Sequence, residues 1–128
     1  MPQEQSSSAP VVLVAENDVL LRLVTASNLR DAGFEVIEAA DGAEALEKAK
    51  ASQPALILLD LQMPALDGFG VIERLRSEVR FAATPIVALT ASAMHGDREK
   101  ALAAGFSGYI TKPIRLASLR NEVERLLG

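Results

Sequence analysis

One short run limits the possible folds of this chain more than any other, the segment Ala55-Leu56-Ile57-Leu58-Leu59-Asp60. Its five apolar residues follow one another without polar alternation, which is typical of a strand buried on both faces of a parallel sheet. The carboxyl end of such a strand lies at the sheet edge where open α/β folds bind their ligands. The residue that this strand brings to that edge is Asp60.

Further short apolar runs alternate with helical patterns along the rest of the chain. Strands are predicted at residues 11–15, 34–39, 86–90 and 108–111, and helical stretches separate them and follow the last one. Five strands alternating with five helices predict an α/β fold with a five-stranded parallel sheet covered on both faces, a flavodoxin-like doubly wound (βα)5 three-layer sandwich.

Several residues mark the expected ends and faces of the helices. Asp41 with Glu44 forms a capping-box pattern, while Asp18 and Asp67 are expected to cap their own helices. Gly33 is expected to end the first helix. Leu21, Val24, Leu29 and Ala32 are spaced to share the inner face of that helix.

Length and composition exclude several classes of protein. A chain of 128 residues is expected to form one domain, here residues 11–128 after a flexible polar tail at residues 1–10. The net charge is −4 and the sequence shows no basic patch, which argues against a nucleic-acid partner. The absence of cysteine excludes disulfides and thiol chemistry. No apolar run approaches the roughly 18 residues of a membrane span and the tail lacks a secretory signal, so a cytoplasmic location is expected.

Polar residues stand at the ends of four predicted strands. They are Glu16-Asn17, Asp60, Thr90 and Lys112, whereas the second strand ends in Ala39-Ala40 and contributes nothing obvious. Taken singly, each has a plainer interpretation, since Asp60 or Thr90 could cap a helix and Lys112 could be a solvated surface charge. Parallel strands place all these ends at one edge, so the group together is much harder to explain by accident.

The chemistry of that group favours phosphoryl transfer. Two carboxylates held close together repel, and a hard divalent cation with oxygen ligands such as Mg²⁺ would relieve the repulsion. Thr90 can donate a hydrogen bond to a phosphoryl oxygen, and Lys112 can neutralise part of its charge. An aspartate attacking phosphorus in line needs little else from the protein.

The same residues resemble the receiver domain of two-component response regulators. The resemblance spans about residues 11–127 and rests on the acidic turn at residue 16, on Asp60 with the segment Met63-Pro64-Ala65-Leu66-Asp67-Gly68, on Ala88-Leu89-Thr90-Ala91, and on Lys112-Pro113. It implies the strand order 2-1-3-4-5. It also implies a signalling domain, not an enzyme acting on a separate substrate, in which Asp60 accepts a phosphoryl group from a sensor histidine kinase or a histidine phosphotransfer protein.

The resemblance further implies roles for the surrounding residues. Glu16, Asp60 and the backbone carbonyl of Gln62 would help to hold Mg²⁺, while Thr90 and Lys112 would contact the phosphoryl group. Thr90 and Tyr109 would reorganise together and alter the face formed by the fourth helix, fifth strand and fifth helix, where a downstream protein would bind. The Lys112-Pro113 bond is expected to be cis.

Position 17 departs from the family pattern, which usually has a second acid there. An amide oxygen of Asn17 can still ligate Mg²⁺ but brings no charge, so weaker metal binding is expected. One alternative is therefore a receiver-like domain that binds partners without phosphorylation. Another is an aspartyl-phosphate phosphatase, which is disfavoured because Gln62 stands where such enzymes place an acid. The single histidine, His95, is expected to be a solvated surface residue.

Overall fold

The computed structural model describes residues 9–91 and 96–128, so His95 and nearly all of the polar tail lie outside the described residues. Strands and helices alternate through these residues as predicted. They are β1 (Val11–Ala15), α1 (Val19–Asp31), β2 (Glu35–Ala39), α2 (Gly42–Ser52), β3 (Leu56–Asp60), α3 (Gly68–Arg76), β4 (Ile86–Thr90), α4 (Asp97–Ala103), β5 (Gly108–Thr111) and α5 (Leu116–Leu127). A short 3-10 helix, Val79–Phe81, precedes β4.

The five strands form one parallel sheet in the order β2-β1-β3-β4-β5, which confirms the predicted fold class and strand order. The strand β3 occupies the centre, and every one of its residues is buried. This is why its sequence is apolar without alternation until Asp60. Within the described ranges, no helix combines the length and the apolar character that crossing a bilayer requires.

The core has two layers, one on each face of the sheet. Successive strand residues point to opposite faces, so neighbours in sequence join different layers. One layer contains Leu13, Ala15, Ile57, Leu59, Ile86 and Ala88 with side chains of α2, α3 and α4, and the other contains Val12, Val14, Leu56, Leu58, Val87 and Leu89 with side chains of α1 and α5. The sheet is therefore covered on both sides, as a doubly wound fold requires.

Three predicted aspartate caps are confirmed. Asp18 Oδ1 accepts from Leu21 N at 3.1 Å, Asp41 Oδ1 from Glu44 N at 2.8 Å, and Asp67 Oδ1 from Gly70 N at 2.8 Å. The return bond of the capping box is displaced by one residue, because Glu44 Oε1 accepts from Ala40 N at 2.6 Å. These caps begin α1, α2 and α3 directly after the carboxyl edge of the sheet.

The inner face of α1 differs from the prediction. Val24 is 40% exposed, and the buried residues of the helix are Thr25, Ala26 and Leu29. Spacing alone could not show this, because the apolar residues at the start of α1 extend around too much of the helix to define one face. The residue that caps the end of α1 is Ala32. Gly33, with a φ of 99°, stands one position beyond this observed cap.

The loop after β3 is packed closely against the start of α2. Gly42 permits the approach, since a Cβ atom there would lie 1.6 Å from the carbonyl oxygen of Leu66. Ala65 adopts a φ of 70°, a left-handed conformation that strains a residue with a side chain. Strain in a loop persists only where packing over-determines it, so the loop that follows Asp60 is held in a fixed shape.

At the amino edge of the sheet, one arginine side chain links the end of α3 to the segments before β4 and β5. The guanidinium of Arg76, at the end of α3, donates to the carbonyl oxygens of Phe81 at 2.6 Å, Thr84 at 2.8 Å and Gly105 at 2.8 Å. These carbonyls belong to the segments that lead into β4 and β5. Arg76 thereby supplies hydrogen bonds to backbone acceptors in the connections that precede these strands.

Candidate functional site at the carboxyl edge of the sheet

The structure brings the predicted site residues to one edge of the sheet. Asp60 and Thr90 are the last residues of β3 and β4, Glu16 directly follows β1, and Lys112 directly follows β5. Glu16, Asp60 and Thr90 are buried, whereas Lys112 is half-buried. Buried charged groups are stable only where they are paired or hydrogen-bonded, so the contacts among these side chains determine what the site can do.

Lys112 lies between the two buried carboxylates. Its Nζ atom is 2.8 Å from Glu16 Oε1 as an ion pair, and it donates a hydrogen bond to Asp60 Oδ2 at 3.3 Å. Two negative groups thus share one positive group. The site keeps an excess negative charge, which suits a cation more than a second anion.

Backbone amides hold the other oxygen of each carboxylate. Gln62 N donates to Asp60 Oδ1 at 3.0 Å, and Asp18 N donates to Glu16 Oε2 at 3.0 Å. Both carboxyl groups are therefore oriented by the main chain, with the free oxygens turned toward Lys112. A carboxylate held in this way is preorganised for a reaction at a defined oxygen.

The electrostatics of the pair follow from burial and charge. Burial raises the pKa of Glu16, and the neighbouring Asp60 raises it further, against the opposing effects of Lys112 and the Asp18 amide. Burial alone would lower the pKa of Lys112, but its close ion pair with Glu16 and the charge of Asp60 raise it overall. Lys112 is therefore positively charged at neutral pH. Glu16 is the carboxyl group whose ionised form the site destabilises.

Asn17 faces the same group of oxygens. Oriented with its nitrogen inward, its side-chain amide donates to Asp60 Oδ2 at 3.1 Å and to the carbonyl oxygen of Gln62 at 3.3 Å. Rotation of the amide by half a turn would present its oxygen to the same two atoms. Position 17 can thus either hydrogen-bond Asp60 or contribute a neutral oxygen ligand.

These oxygens fit a small, hard divalent cation. Glu16 Oε1 is buried and accepts no hydrogen bond within the described part of the chain, since Lys112 approaches it without hydrogen-bond geometry. The candidate ligands are two carboxylates, an amide oxygen and a carbonyl oxygen, a set that suits Mg²⁺. Among residues 9–91 and 96–128, no group of three or more His, Cys, Asp or Glu side chains is placed to hold a metal ion, and the candidate ligand set here has two charged members, Glu16 and Asp60.

Thr90 borders an open hollow next to the carboxylates. The hollow has a volume of about 320 Å³ and is lined by Leu61, Gln62, Asp67, Phe69, Thr90, Asp97 and Lys100. Tyr109 is half-buried in β5, paired with Ala88, and packs against the core layer that includes α3 and α4. Burial raises the pKa of the Tyr109 hydroxyl, and nearby Asp97 raises it further. The Lys112–Pro113 bond is cis, as predicted.

Sequence reasoning missed two residues, Arg22 and Glu38. Arg22 Nη1 donates to the backbone oxygen of Glu16 at 2.8 Å, and its Nε atom lies 3.4 Å from Glu38 Oε1. The end of β2 carries no site residue, as expected, but Glu38 within this strand contacts the site indirectly through Arg22. Two glutamates, Glu35 and Glu38, lie in β2, so the sequence held no signal that singled out Glu38.

Comparison with known proteins points to one family. A profile described as the response regulator receiver domain matches residues 12–124. The chain is 41% identical over 120 residues to the transcriptional regulatory protein PrrA of Mycobacterium leprae, covering 94% of this chain and 51% of that protein. It is 33% identical over 118 residues to the polar-differentiation response regulator DivK of Brucella anthropi, covering 92% and 95%.

Solved structures agree with the sequence comparison. The fold is similar to the receiver domain of the sensor histidine kinase PA1611 from Pseudomonas aeruginosa, with a TM-score of 0.87 and 34% identity over 94% of this chain and 99% of that one. That structure holds a magnesium ion in its active-site cleft. The chain spans about half the length of several curated relatives that it matches, PrrA among them.

We predict that Glu16→Gln stabilises the metal-free protein at neutral pH. Burial raises the pKa of Glu16 in the folded state, so this group opposes folding increasingly as the pH rises from its ordinary value of 4.5 through the raised value. Denaturant unfolding in EDTA should show a gain that is small near pH 4 and grows toward pH 8. Glu73→Gln, at an exposed position of α3, is the control and should show no such trend. A variant less stable than wild type at pH 8 would contradict this account.

Proposed function

Because the chain belongs to the response regulator receiver domain family, we propose that Asp60 accepts a phosphoryl group from a phosphohistidine with the help of Mg²⁺. The modification then switches a surface that binds another protein. The observation that carries this proposal is the state of Asp60, a buried carboxylate with Lys112 Nζ at 3.3 Å from Oδ2 and a backbone amide on Oδ1. One oxygen is held in place while the other is turned toward positive charge.

The transfer step is assigned to Asp60 Oδ2. This oxygen attacks phosphorus, the bond from phosphorus to the donor imidazole nitrogen breaks, and the electron pair returns to that nitrogen. Lys112 stabilises charge on the equatorial phosphoryl oxygens, and the Thr90 hydroxyl donates to one of them. Asp60 Oδ1 keeps its hydrogen bond from the Gln62 amide, so the acyl phosphate is formed in a defined orientation.

The metal site is assigned to Glu16, Asn17, Asp60 and the carbonyl oxygen of Gln62. Mg²⁺ bound there would neutralise the incoming phosphoryl charge. The side-chain amide of Asn17 must turn over before its oxygen can face the metal, because in the other orientation its nitrogen donates hydrogen bonds to Asp60 and Gln62. This requirement and the missing charge both favour weak binding.

The output is assigned to the face formed by α4, β5 and α5. Thr90 moves toward the phosphoryl group, and Tyr109 turns further inward toward the space that Thr90 leaves. The hollow of about 320 Å³ that Thr90 borders gives room for the movement of Thr90. Tyr109 lies in β5, so its movement changes the surface that a downstream protein meets.

The protein donor is assigned to the exposed start of α1. Val19, Leu20 and Leu23 are 58%, 71% and 49% exposed, an unusual concentration of apolar side chains on a surface. A groove of about 360 Å³ joins this face to Lys112 and Pro113. A phosphohistidine protein that covers the apolar face would bring its imidazole to the edge that holds Asp60.

The central test uses a small phosphodonor with Mg²⁺ and intact-mass measurement. Wild type should gain the mass of one phosphoryl group, Asp60→Ala should gain none, and Lys112→Ala should remain folded and gain it at least tenfold more slowly. Wild type without any gain under strong donor conditions would overturn the proposal. That result would favour the alternative in which the domain binds partners without phosphorylation.

Donor docking is tested by Leu20→Glu. We expect transfer from a phosphohistidine protein to slow at least fivefold, because the charge disrupts an apolar contact, while labelling by the small donor stays within twofold of wild type. Val79→Glu is the matched control, since Val79 is 92% exposed on the short helix before β4. Equal slowing by both variants would show that α1 has no special role.

Asn17→Asp should tighten Mg²⁺ binding by about tenfold, equivalent to about 1.4 kcal/mol. The substitution adds a formal charge to the cation site and removes the amide donor to Asp60. Calorimetric titration measures the affinity, with Asn121→Asp, on the exposed surface of α5, as control. An unchanged affinity would show that position 17 does not face the metal.

A further inference from the structure

We propose that Arg22 is a positioning residue for the metal and phosphorylation site, and that Glu38 of β2 holds it in place. In this clamp, Arg22 holds the turn at residues 16–18 through the backbone oxygen of Glu16, whereas Lys112 contacts the Glu16 side chain. This inference rests on the proposed function, because it concerns the geometry of that site. It assigns a role to the one strand whose end carries no site residue.

The clamp acts on the first carbonyl beyond the sheet. Glu16 N still donates to the Ala39 carbonyl at 3.0 Å, as the last bond between β1 and β2. The next acceptor, the carbonyl oxygen of Glu16, has left the ladder and is bound instead by Arg22 Nη1 at 2.8 Å. The guanidinium therefore replaces a strand partner at the point where the chain turns into the site.

The peptide held by Arg22 controls three groups at once. Tilting the plane of the peptide that joins residues 16 and 17 would shift the Asn17 side chain, the Asp18 amide that donates to Glu16 Oε2 and, through that hydrogen bond, the Glu16 carboxylate. Glu16 and Asp60 are both buried and both contact the Nζ atom of Lys112, so repulsion between the two carboxylates favours movement of the turn that carries Glu16. Arg22 opposes it.

Glu38 gives the guanidinium its direction. Arg22 Nε lies 3.4 Å from Glu38 Oε1, and Arg30 Nη2 lies 3.3 Å from Glu38 Oε2. The Arg22 side chain is only 15% exposed, against 49% for Arg30. Partial burial makes the Arg22 contact the less screened of the two. A lysine at position 22 could reach the carbonyl or Glu38 with its single nitrogen, but it lacks the fork that reaches both.

The experiment compares Arg22→Ala, Arg22→Lys and Glu38→Gln with the control Arg30→Ala. Arg30 is a suitable control because it shares Glu38 but donates to Val36, away from the turn. Two quantities are measured on the full chain, the calorimetric Kd for Mg²⁺ and the metal-free hydrogen exchange rate of the Asp18 amide by NMR.

Arg22→Ala should raise the Kd for Mg²⁺ about fivefold and speed exchange of the Asp18 amide about fivefold. Amides in the buried central strand β3 should exchange as in wild type, which a general loss of folded structure would not allow. Arg22→Lys and Glu38→Gln should give intermediate shifts of both quantities, and Arg30→Ala should give less than twofold.

Shifts for Arg22→Ala no larger than those for Arg30→Ala would overturn the proposal. If Arg22→Ala does not fold, Glu38→Gln decides, because it removes the charge that orients the guanidinium and leaves the carbonyl contact possible. Amide exchange is measured without metal or phosphodonor. A wild type that cannot be phosphorylated would therefore defeat the proposed function while leaving the exchange result to judge the clamp separately.

Discussion

Two buried carboxylates share a single lysine at the carboxyl edge of the sheet, and the other contacts of the site follow from that shortage of positive charge. Lys112 approaches both Glu16 and Asp60 but can neutralise only one of them. The protein accepts this unfavourable state because the sheet fixes the strand ends and backbone amides hold one oxygen of each carboxylate. Repulsion between the two carboxylates is what the proposed binding of a divalent ion would relieve.

The fold was predictable because its signals are local and repeated. The unbroken apolar run before Asp60 identified a central strand, and the alternation of strand and helix patterns identified a parallel sheet. The inner face of α1 was not predictable, because apolar side chains such as Val24 also occur where no neighbour covers them. Periodicity describes a residue's place on a helix but not what lies opposite.

The site was predictable only in part for a similar reason. Residues at the ends of strands, such as Asp60 and Lys112, are brought together by topology alone, and the sequence reveals their order. Arg22 acts through the backbone oxygen of Glu16, and Glu38 acts through Arg22. Contacts to a backbone oxygen leave no pattern of residue types, so they become visible only in three dimensions. The roles of the individual residues stay predictions until the variants are measured.

The arginine at the opposite edge of the sheet has a consequence for engineering. Arg76 binds three carbonyl oxygens near the amino ends of β4 and β5, well separated from the charged edge. The molecule therefore has a well hydrogen-bonded arginine at the amino edge of the sheet and two closely spaced, buried carboxylates at the carboxyl edge. Stabilising substitutions near Arg76 would strengthen the scaffold while leaving the repulsion between Glu16 and Asp60 unchanged, so the stability of the fold and the electrostatics of the proposed site can be adjusted separately.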